Sequence, residues 1–375
     1  MAKPHHWDHL HAAQTAPVNA AYTTTMTLTD KPIPRAAGWH ILGAGAMGCL
    51  WACAMARQDE RQAMGSPQVS LLLRDQEALA GYPGQVICSD MEHPLSIPAV
   101  AIAGADDQTP LQIHNLLVTT KAQDTLTAVA SVANHLSTTS RIVLLQNGLK
   151  IQQQLTRLYG AERVFCVSTS HGAWLKAPFD VVHAGNGDAW LGQLDATGTC
   201  SRARLQSLRQ LLPAEQLNVH IDHDIGARLW RKLAINCAIN ALTVIHDCRN
   251  GELLQIPEAR QSLSRLCDEI CKVLQAIPEA PPMGDLWTQV QHVLHVTAAN
   301  VSSTLQDIRR GRHSEIDHLN GYLCELASAQ HMPCPVNRAV LQQMRVLESR
   351  AIQAHSPTGS ERPRQSSPHR STDRQ

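Results

Sequence analysis

The chain has no excess of charge of either sign. Lys+Arg and Asp+Glu each number 32 in 375 residues, so the balance favours neither nucleic acid nor an acidic membrane surface as a partner. Paired cysteines are also missing. The 11 Cys are scattered, with no C-x-x-C pair and no zinc spacing, so no metal site is expected. Cys267 and Cys271 stand one helical turn apart and read as core. No secretory signal is evident, and an odd number of thiols without one points to reduced cysteines in a cytoplasmic protein. Nor is there a long hydrophobic run. The longest, Ile41 to Ala56, holds three glycines and is too short to span a bilayer.

What is present is length enough for two domains, with an unlike segment at each end. Residues 1–37 carry His5, His6, His9, His11 and the run Thr23-Thr24-Thr25. They show no periodic pattern and read as a disordered extension, with adventitious metal binding at most. Met26 is a candidate true start, and residues 1–25 are expected to be dispensable. From Ser356 onward Pro, Ser, Arg and Thr dominate, and 354–375 reads as a disordered tail. Between these ends, 38–222 reads as an α/β dinucleotide-binding domain of the Rossmann type. An all-α domain carrying the substrate and catalytic groups, 223–353, follows it.

The first domain opens with a strand, Trp39 to Leu42, then Gly43-Ala44-Gly45-Ala46-Met47-Gly48 and an apolar helix through Met55. This is G-x-G-x-x-G with a strand before it and a helix after it. Gly43 permits the tight turn, Gly45 lets backbone approach a pyrophosphate, and Gly48 lets helix and strand pack closely. Free N–H groups at the helix start would face the phosphates. Gln58 to Pro67 look like an inserted loop. The second strand, Val69 to Leu73, ends at Arg74, which suits the 2′-phosphate of NADP better than ribose hydroxyls. Asp75 beside it leaves an NAD site open, and an ordinary surface arginine is the bland alternative. Two further strands, Asn115 to Thr119 and Arg141 to Leu145, run into Lys121 and into Gln146-Asn147-Gly148. In a doubly wound sheet the carboxyl ends of the strands share one crevice. The glycine loop, Arg74, Lys121 and Asn147 should therefore converge. After Val164 to Ser168 and Ser170-His171-Gly172-Ala173, the stretches Val181 to His183 and Ala189 to Gly192 read as a hairpin around Gly185-Asn186-Gly187. That hairpin would extend the sheet.

In the second domain, Lys232, Asn236 and Asn240 recur every four residues. On a helix each step advances about 40° past a full turn, so all three share a face. An ammonium and two amides beside Leu229, Leu233, Ala234, Cys237, Ala238 and Ala241 suit gripping a small anion and giving it a proton. A solvated polar stripe is the alternative, but Asn costs helix propensity. An unperturbed lysine would be fully protonated at neutral pH. Arg260 to Ala276 is an amphipathic helix, broken by Pro278 to Pro282. Leu286 begins another, expected to run past Asn300, Ser303 and Asp307, with Asn300 and Ser303 on one face. Glu315 lies too far along to touch the same atom as Ser303. It serves the cofactor end, positions a charged partner, or is a solvated helix carboxylate.

These motifs, in this order, make the chain resemble the ketopantoate reductase (2-dehydropantoate 2-reductase) family over roughly residues 38 to 350. They are the Gly43–Gly48 loop, Lys121, Gln146-Asn147-Gly148, and Lys232 with Asn236 and Asn240. Asn250-Gly251-Glu252-Leu253, Ser302 to Asp307, Glu315-Ile316-Asp317 and Asn320-Gly321 complete the set. The resemblance implies NADPH-dependent reduction of ketopantoate to pantoate on the route to pantothenate and coenzyme A. It places Lys232 as the catalytic acid, and Asn236, Asn240, Asn250 and Ser303 at the substrate with Asn300 nearby. Lys121, Asn147, Ala173 and Glu315 fall at cofactor or inter-domain contacts. Ala241 departs from the family, which usually has Pro there; it questions local helix geometry rather than the chemistry. A reductase of another small 2-oxo acid is the second enzyme alternative. A non-enzymatic nucleotide-binding protein is the third, and the presence of Lys232 argues against it. Monomer and homodimer both remain open.

Overall fold

The computed structural model describes residues 38–61, 69–103, 111–194 and 199–355. The expected extension 1–37, the Met26 start, most of the expected Gln58–Pro67 loop and all but the first two residues of the expected tail 354–375 lie outside them; Ala354 and His355 instead continue the last helix. The sheet opens with β1 (Trp39–Leu42), followed by α1 (Ala46–Arg61), β2 (Val69–Leu73) and α2 (Gln76–Ala80). Helix α1 thus runs through the first residues of the segment expected to be a loop. Next come β3 (Gln85–Cys88), β4 (Leu95–Ser96), β5 (Ala99–Ala101), β6 (Ile113–Val118), α3 (Ala122–Ser131), β7 (Leu136–Leu144) and α4 (Lys150–Tyr159). The domain continues with β8 (Val164–Thr169), β9 (Gly172–Ala177), β10 (Asp180–Gly185), β11 (Ala189–Gly192), α5 (Thr199–Leu211) and β12 (Val219–Ile221).

Eight strands form one sheet in the order β12-β11-β8-β7-β6-β1-β2-β5. From β5 to β8 every pairing is parallel; β11 then joins β8 antiparallel. The chain moves outward from β1 through β2 to β5, then crosses back to β6 on the other side of β1. That reversal is the switch point of a doubly wound sheet, the place where such sheets take ligands beyond the strand ends. Parallel strands are covered on both faces, so they are apolar throughout. In β1, Trp39 and Ile41 enter one core and Leu42 the other.

Strands β4-β3-β10-β9 form a second, smaller sheet. Helix α1 packs against both this sheet and the large one. Residues Cys49 to Ala56 are accordingly all buried, as expected of a helix apolar all round. The expected β10–β11 hairpin is not formed. Instead β10 pairs antiparallel with β9, through a turn where Phe179 takes φ +61°, and its ring meets Tyr82 edge-on at 4.7 Å. The link after β10 folds under Ser170, which exchanges hydrogen bonds with Asp188 (2.9 Å each). Only β11 then extends the large sheet. Both strands are short and carry adjacent apolar residues, with no sign of which sheet each enters.

The helical domain is built on α6 (Ile225–Ile245), capped by Asp224. Around it stand α7 (Pro257–Gln275), α8 (Leu286–Val296), α9 (Ser303–Arg309), α10 (Asn320–Ala329) and α11 (Pro335–His355). The helix expected to run on from Leu286 is two helices, α8 and α9, so Asn300 and Ser303 do not share a face. The carbonyls after α8 are taken from outside: Asn250 and Gly251 N–H donate to Asn300 and Ala298 O (3.0 and 3.1 Å), and Arg249 to Ala299 O. Ser302 then starts α9 as its N-cap, accepting from Leu305 N (3.1 Å). Gly311, at φ +63°, ends α9 in the left-handed region that a side chain resists.

Candidate active site

The glycine loop leaves β1 and enters α1 at the switch point. A Cβ on Gly48 would fall 1.9 Å from Gly43 O, and one on Gly43 2.8 Å from Thr120 N. On Gly45 it would meet nothing within 4 Å. The loop is therefore packed beneath and open above, which is the shape an approaching pyrophosphate needs. Thr119, at the end of β6, pins it by donating its hydroxyl to Gly43 O (2.6 Å). The sequence names Thr119 only as the end of a strand, two residues before Lys121, and gives it no role.

The neighbouring strand ends carry the expected side chains. Arg74 follows β2 directly, with its side chain 86% exposed and its Nε 2.7 Å from Asp75 Oδ2. Asp75 turns its other oxygen to Ala78 N (2.8 Å), capping α2. The carboxylate is thus spent on protein partners, and the guanidinium faces solvent. Lys121 precedes α3 and reaches across to the helical domain, donating to His313 O (2.6 Å) and pairing with Asp307 Oδ1 (2.8 Å). Burial raises the Asp307 pKa, and Lys121 opposes that rise.

Glu315 completes the junction. It accepts from Ala122 N at the start of α3 (2.9 Å) and from Asn147 Nδ2 (3.0 Å). It lies just before the short turn Ile316–His318, and is not a solvated helix carboxylate. Desolvation raises its pKa, and its two hydrogen bonds pull it back. Glu315, Asn147 and Lys121 are thereby joined, though 168 or more residues separate Glu315 from the other two.

Lys232 projects from α6 toward the same junction, where its ammonium donates to Thr169 O (2.9 Å) at the end of β8. Desolvation lowers its pKa to about 8, while the Glu315 carboxylate acts to raise it. The unperturbed lysine expected from sequence is thus corrected: this ammonium holds its proton less tightly than one in water. Asn236 and Asn240 follow on the same face, Asn236 half-buried and Asn240 buried. Neither side-chain amide is spent on a protein partner among the described residues.

The remaining candidates cluster around the break between α8 and α9. Asn250, on the turn Asn250–Leu254, donates Nδ2 to Thr297 Oγ1 (2.9 Å), and its buried Oδ1 has no partner among the described residues. Gly251 lets this turn approach so closely that a Cβ would fall 2.6 Å from Ala298 Cβ. Ser302 is buried and bonded to Thr243 of α6 (Oγ–Oγ1, 2.6 Å), which fixes the start of α9 on the Lys232 helix. Ser303 is the next residue and, like Asn300, is exposed. Arg74 and Ala173 stand apart from these contacts. Ala173 lies on β9, half-buried against the core around α1. No group of three or more His, Cys, Asp or Glu among the described residues could hold a metal. No described helix is long and apolar enough to cross a membrane.

Two families of known sequences match the chain: Ketopantoate reductase PanE/ApbA over residues 39–196, and Ketopantoate reductase PanE/ApbA C terminal over 224–348. A 2-dehydropantoate 2-reductase of Vibrio cholerae is 31% identical over 309 residues, covering 82% of this chain and 97% of its own. One of Shigella flexneri is 32% identical over 311 residues, covering 82% and 94%. Among solved structures, a PanE/ApbA family ketopantoate reductase from Ralstonia eutropha superposes with a TM-score of 0.70 at 24% identity, covering 84% of this chain and 99% of its own. D-mandelate dehydrogenase with NADH and anilino(oxo)acetate superposes at 0.72 and 20% identity, with the same coverage. At these identities the two likenesses speak to the fold alone.

Proposed function

Since the chain belongs to the ketopantoate reductase PanE/ApbA family, we propose that it reduces 2-dehydropantoate (ketopantoate) to pantoate with NADPH, in the cytoplasm, on the route to pantothenate and coenzyme A. The observation that carries this reading is Lys232, an ammonium softened by burial and held at the carboxyl end of β8, where the helical domain meets the sheet. The residues present fit a dinucleotide. Gly43, Ala44, Gly45, Ala46, Met47 and Gly48 would hold the pyrophosphate, over the open space at Gly45. Arg74 would take the 2′-phosphate, because its guanidinium is exposed while Asp75 is occupied by α2. Lys121, Asn147, Ala173 and Glu315 would border the cofactor where the domains meet.

Bound there, NADPH supplies a hydride to the ketone carbon of the substrate. Negative charge then grows on the carbonyl oxygen, and a donor placed at that oxygen stabilises the transition state more than the ground state. Lys232 is that donor and gives the oxygen its proton. A pKa of about 8 leaves it protonated at neutral pH, yet a better acid than a lysine in water. The carbonyl of Thr169 holds the ammonium in place beforehand, and Glu315 keeps it charged against burial. Asn236, Asn240, Asn250, Asn300 and Ser303 would grip the carboxylate and hydroxyl of the substrate. The partnerless Oδ1 of Asn250 suits a hydroxyl donor.

The test is NADPH oxidation by the pure protein with a panel of 2-oxo acids. Ketopantoate should give the highest kcat/KM. A clear preference for another member, such as an aryl oxo acid, would replace ketopantoate as the substrate and leave the chemistry in place.

A further inference from the structure

A chain of hydrogen bonds runs from the segment that holds Lys232 to the smaller sheet. Thr169, whose carbonyl receives the ammonium, also accepts at its hydroxyl from the backbone N–H of His171 (3.1 Å). His171 Nε2 lies 3.1 Å from Leu217 O, and its Nδ1 lies 3.0 Å from Nε2 of His183. His183 Nδ1 in turn lies 2.5 Å from Asp90 Oδ2. His171 is 9% exposed, and the His183 side chain 3%.

The protons in this chain can be counted. A carbonyl only accepts, so His171 Nε2 carries a hydrogen. A neutral imidazole has one N–H, which leaves Nδ1 of His171 as an acceptor. His183 Nε2 must then donate, and its Nδ1 would face the Asp90 carboxylate with no hydrogen between two acceptors. All three contacts become hydrogen bonds only if the group holds one proton beyond two neutral rings and an ionised carboxylate. The contact left without a hydrogen is the one against the carboxylate, so the added proton lies between His183 Nδ1 and Asp90 Oδ2.

We propose that Asp90, His183 and His171 form a proton-holding latch, a set of positioning residues that fixes the Thr169 carbonyl and through it the Lys232 ammonium. The catalytic consequence rests on Lys232 being the proton donor. When the latch loses its proton, two acceptors face each other and one of the three bonds opens. The corner at residues 169–171 is then released from the smaller sheet. Further polar and charged groups pack around the latch, and Ser89 Oγ also donates to Asp90 Oδ1 (3.1 Å). Ser89 Oγ accepts from His183 N (2.9 Å), and the Cys88 thiol ends β3 beside it. Asp188 acts on His171 from the turn before β11 and pairs with His220 (3.1 Å). Across a cavity of about 260 Å³, Asp90 and Leu217 face Arg57 of α1 and Glu215.

Two substitutions separate the charge from the bond. Asp90→Asn can donate an N–H to His183 Nδ1, which satisfies the chain with two neutral rings; Asp90→Leu can donate nothing. Asp90→Asn should keep kcat within about twofold of the parent, whereas Asp90→Leu should lower kcat roughly tenfold with little change in KM, as a misplaced catalytic group does. The alkaline limb of the Asp90→Leu profile should also move to lower pH, because the ammonium loses its fixed acceptor. In ¹⁵N-histidine NMR at neutral pH, the parent should show a buried ring with both nitrogens protonated, and Asp90→Asn should lack it. Equal kcat and equal limbs in the two variants would overturn the latch, as would a parent spectrum without that ring. Should Asp90→Leu fail to fold, the NMR comparison decides alone. It reads the proton without turnover, so it stands even if ketopantoate proves not to be the substrate.

Discussion

Two stretches of the helical domain carry polar residues at helical spacing, and they behave differently. In α6, Lys232, Asn236 and Asn240 sit on one unbroken helix, as their spacing requires. Between Leu286 and Glu315 the same kind of spacing runs through two helices and two breaks. The difference lies in where the backbone finds its partners. Helix α6 is buried along its length and meets its own hydrogen bonds, so periodicity alone describes it. The stretch after α8 gives its carbonyls to residues 249–251 and its next cap to Ser302, held by Thr243. Those partners are distant in sequence, and they decide where the helix stops.

Breaking the α6 side of this comparison should have the largest effect. Lys232→Ala should lower kcat on the order of a hundredfold or more, the usual scale for a lost acid–base group. Cofactor affinity, measured separately by fluorescence titration, should change little, and the fold should survive because Ala favours the helix. Glu315→Gln should act next most strongly. It removes the carboxylate that raises the Lys232 pKa, so the alkaline limb of kcat should move to lower pH, with a several-fold loss at neutral pH. An unmoved limb would detach Glu315 from Lys232.

Arg74→Ala tests the cofactor end. Loss of a charge-assisted phosphate contact should reduce the preference for NADPH over NADH roughly tenfold, read as the ratio of kcat/KM values. An unchanged ratio would remove Arg74 from the site. Ser302→Ala probes the broken stretch and should have the smallest catalytic effect. It deletes a helix cap and a buried bond to Thr243, and should cost about 1–2 kcal/mol of stability in denaturant unfolding. A loss of kcat as large as that of Lys232→Ala would mean that the start of α9 does more than hold Ser303.

Much of this architecture is legible from local sequence. The three glycines of the loop have the turn, open and packed positions their spacing implies. The strand ends at Arg74, Lys121 and Asn147 lie on four adjacent strands together with the loop, as parallel topology demands. Distant partners are not legible. Nothing local to Glu315 names Ala122 and Asn147 as its hydrogen-bond donors. Nothing local to β10 assigns it to the smaller sheet rather than the larger, because a short strand with two adjacent valines suits both. The Lys232 pKa belongs to the same class. It depends on burial between Thr169 and Glu315, neither of which is near it in sequence.

That pKa gives the most direct test of Lys232 as the acid. An acid works only while protonated, so turnover should be level below the pKa and fall as pH rises through it. The measurement is kcat against pH for the parent and for Lys232→Ala with saturating NADPH and ketopantoate. The parent should show an alkaline limb near pH 8, where burial places the ammonium, and the variant should be slow with no such limb. The same limb in both proteins, or a folded variant within about threefold of parental turnover, would contradict Lys232 as the proton donor, given the scale expected for a lost acid.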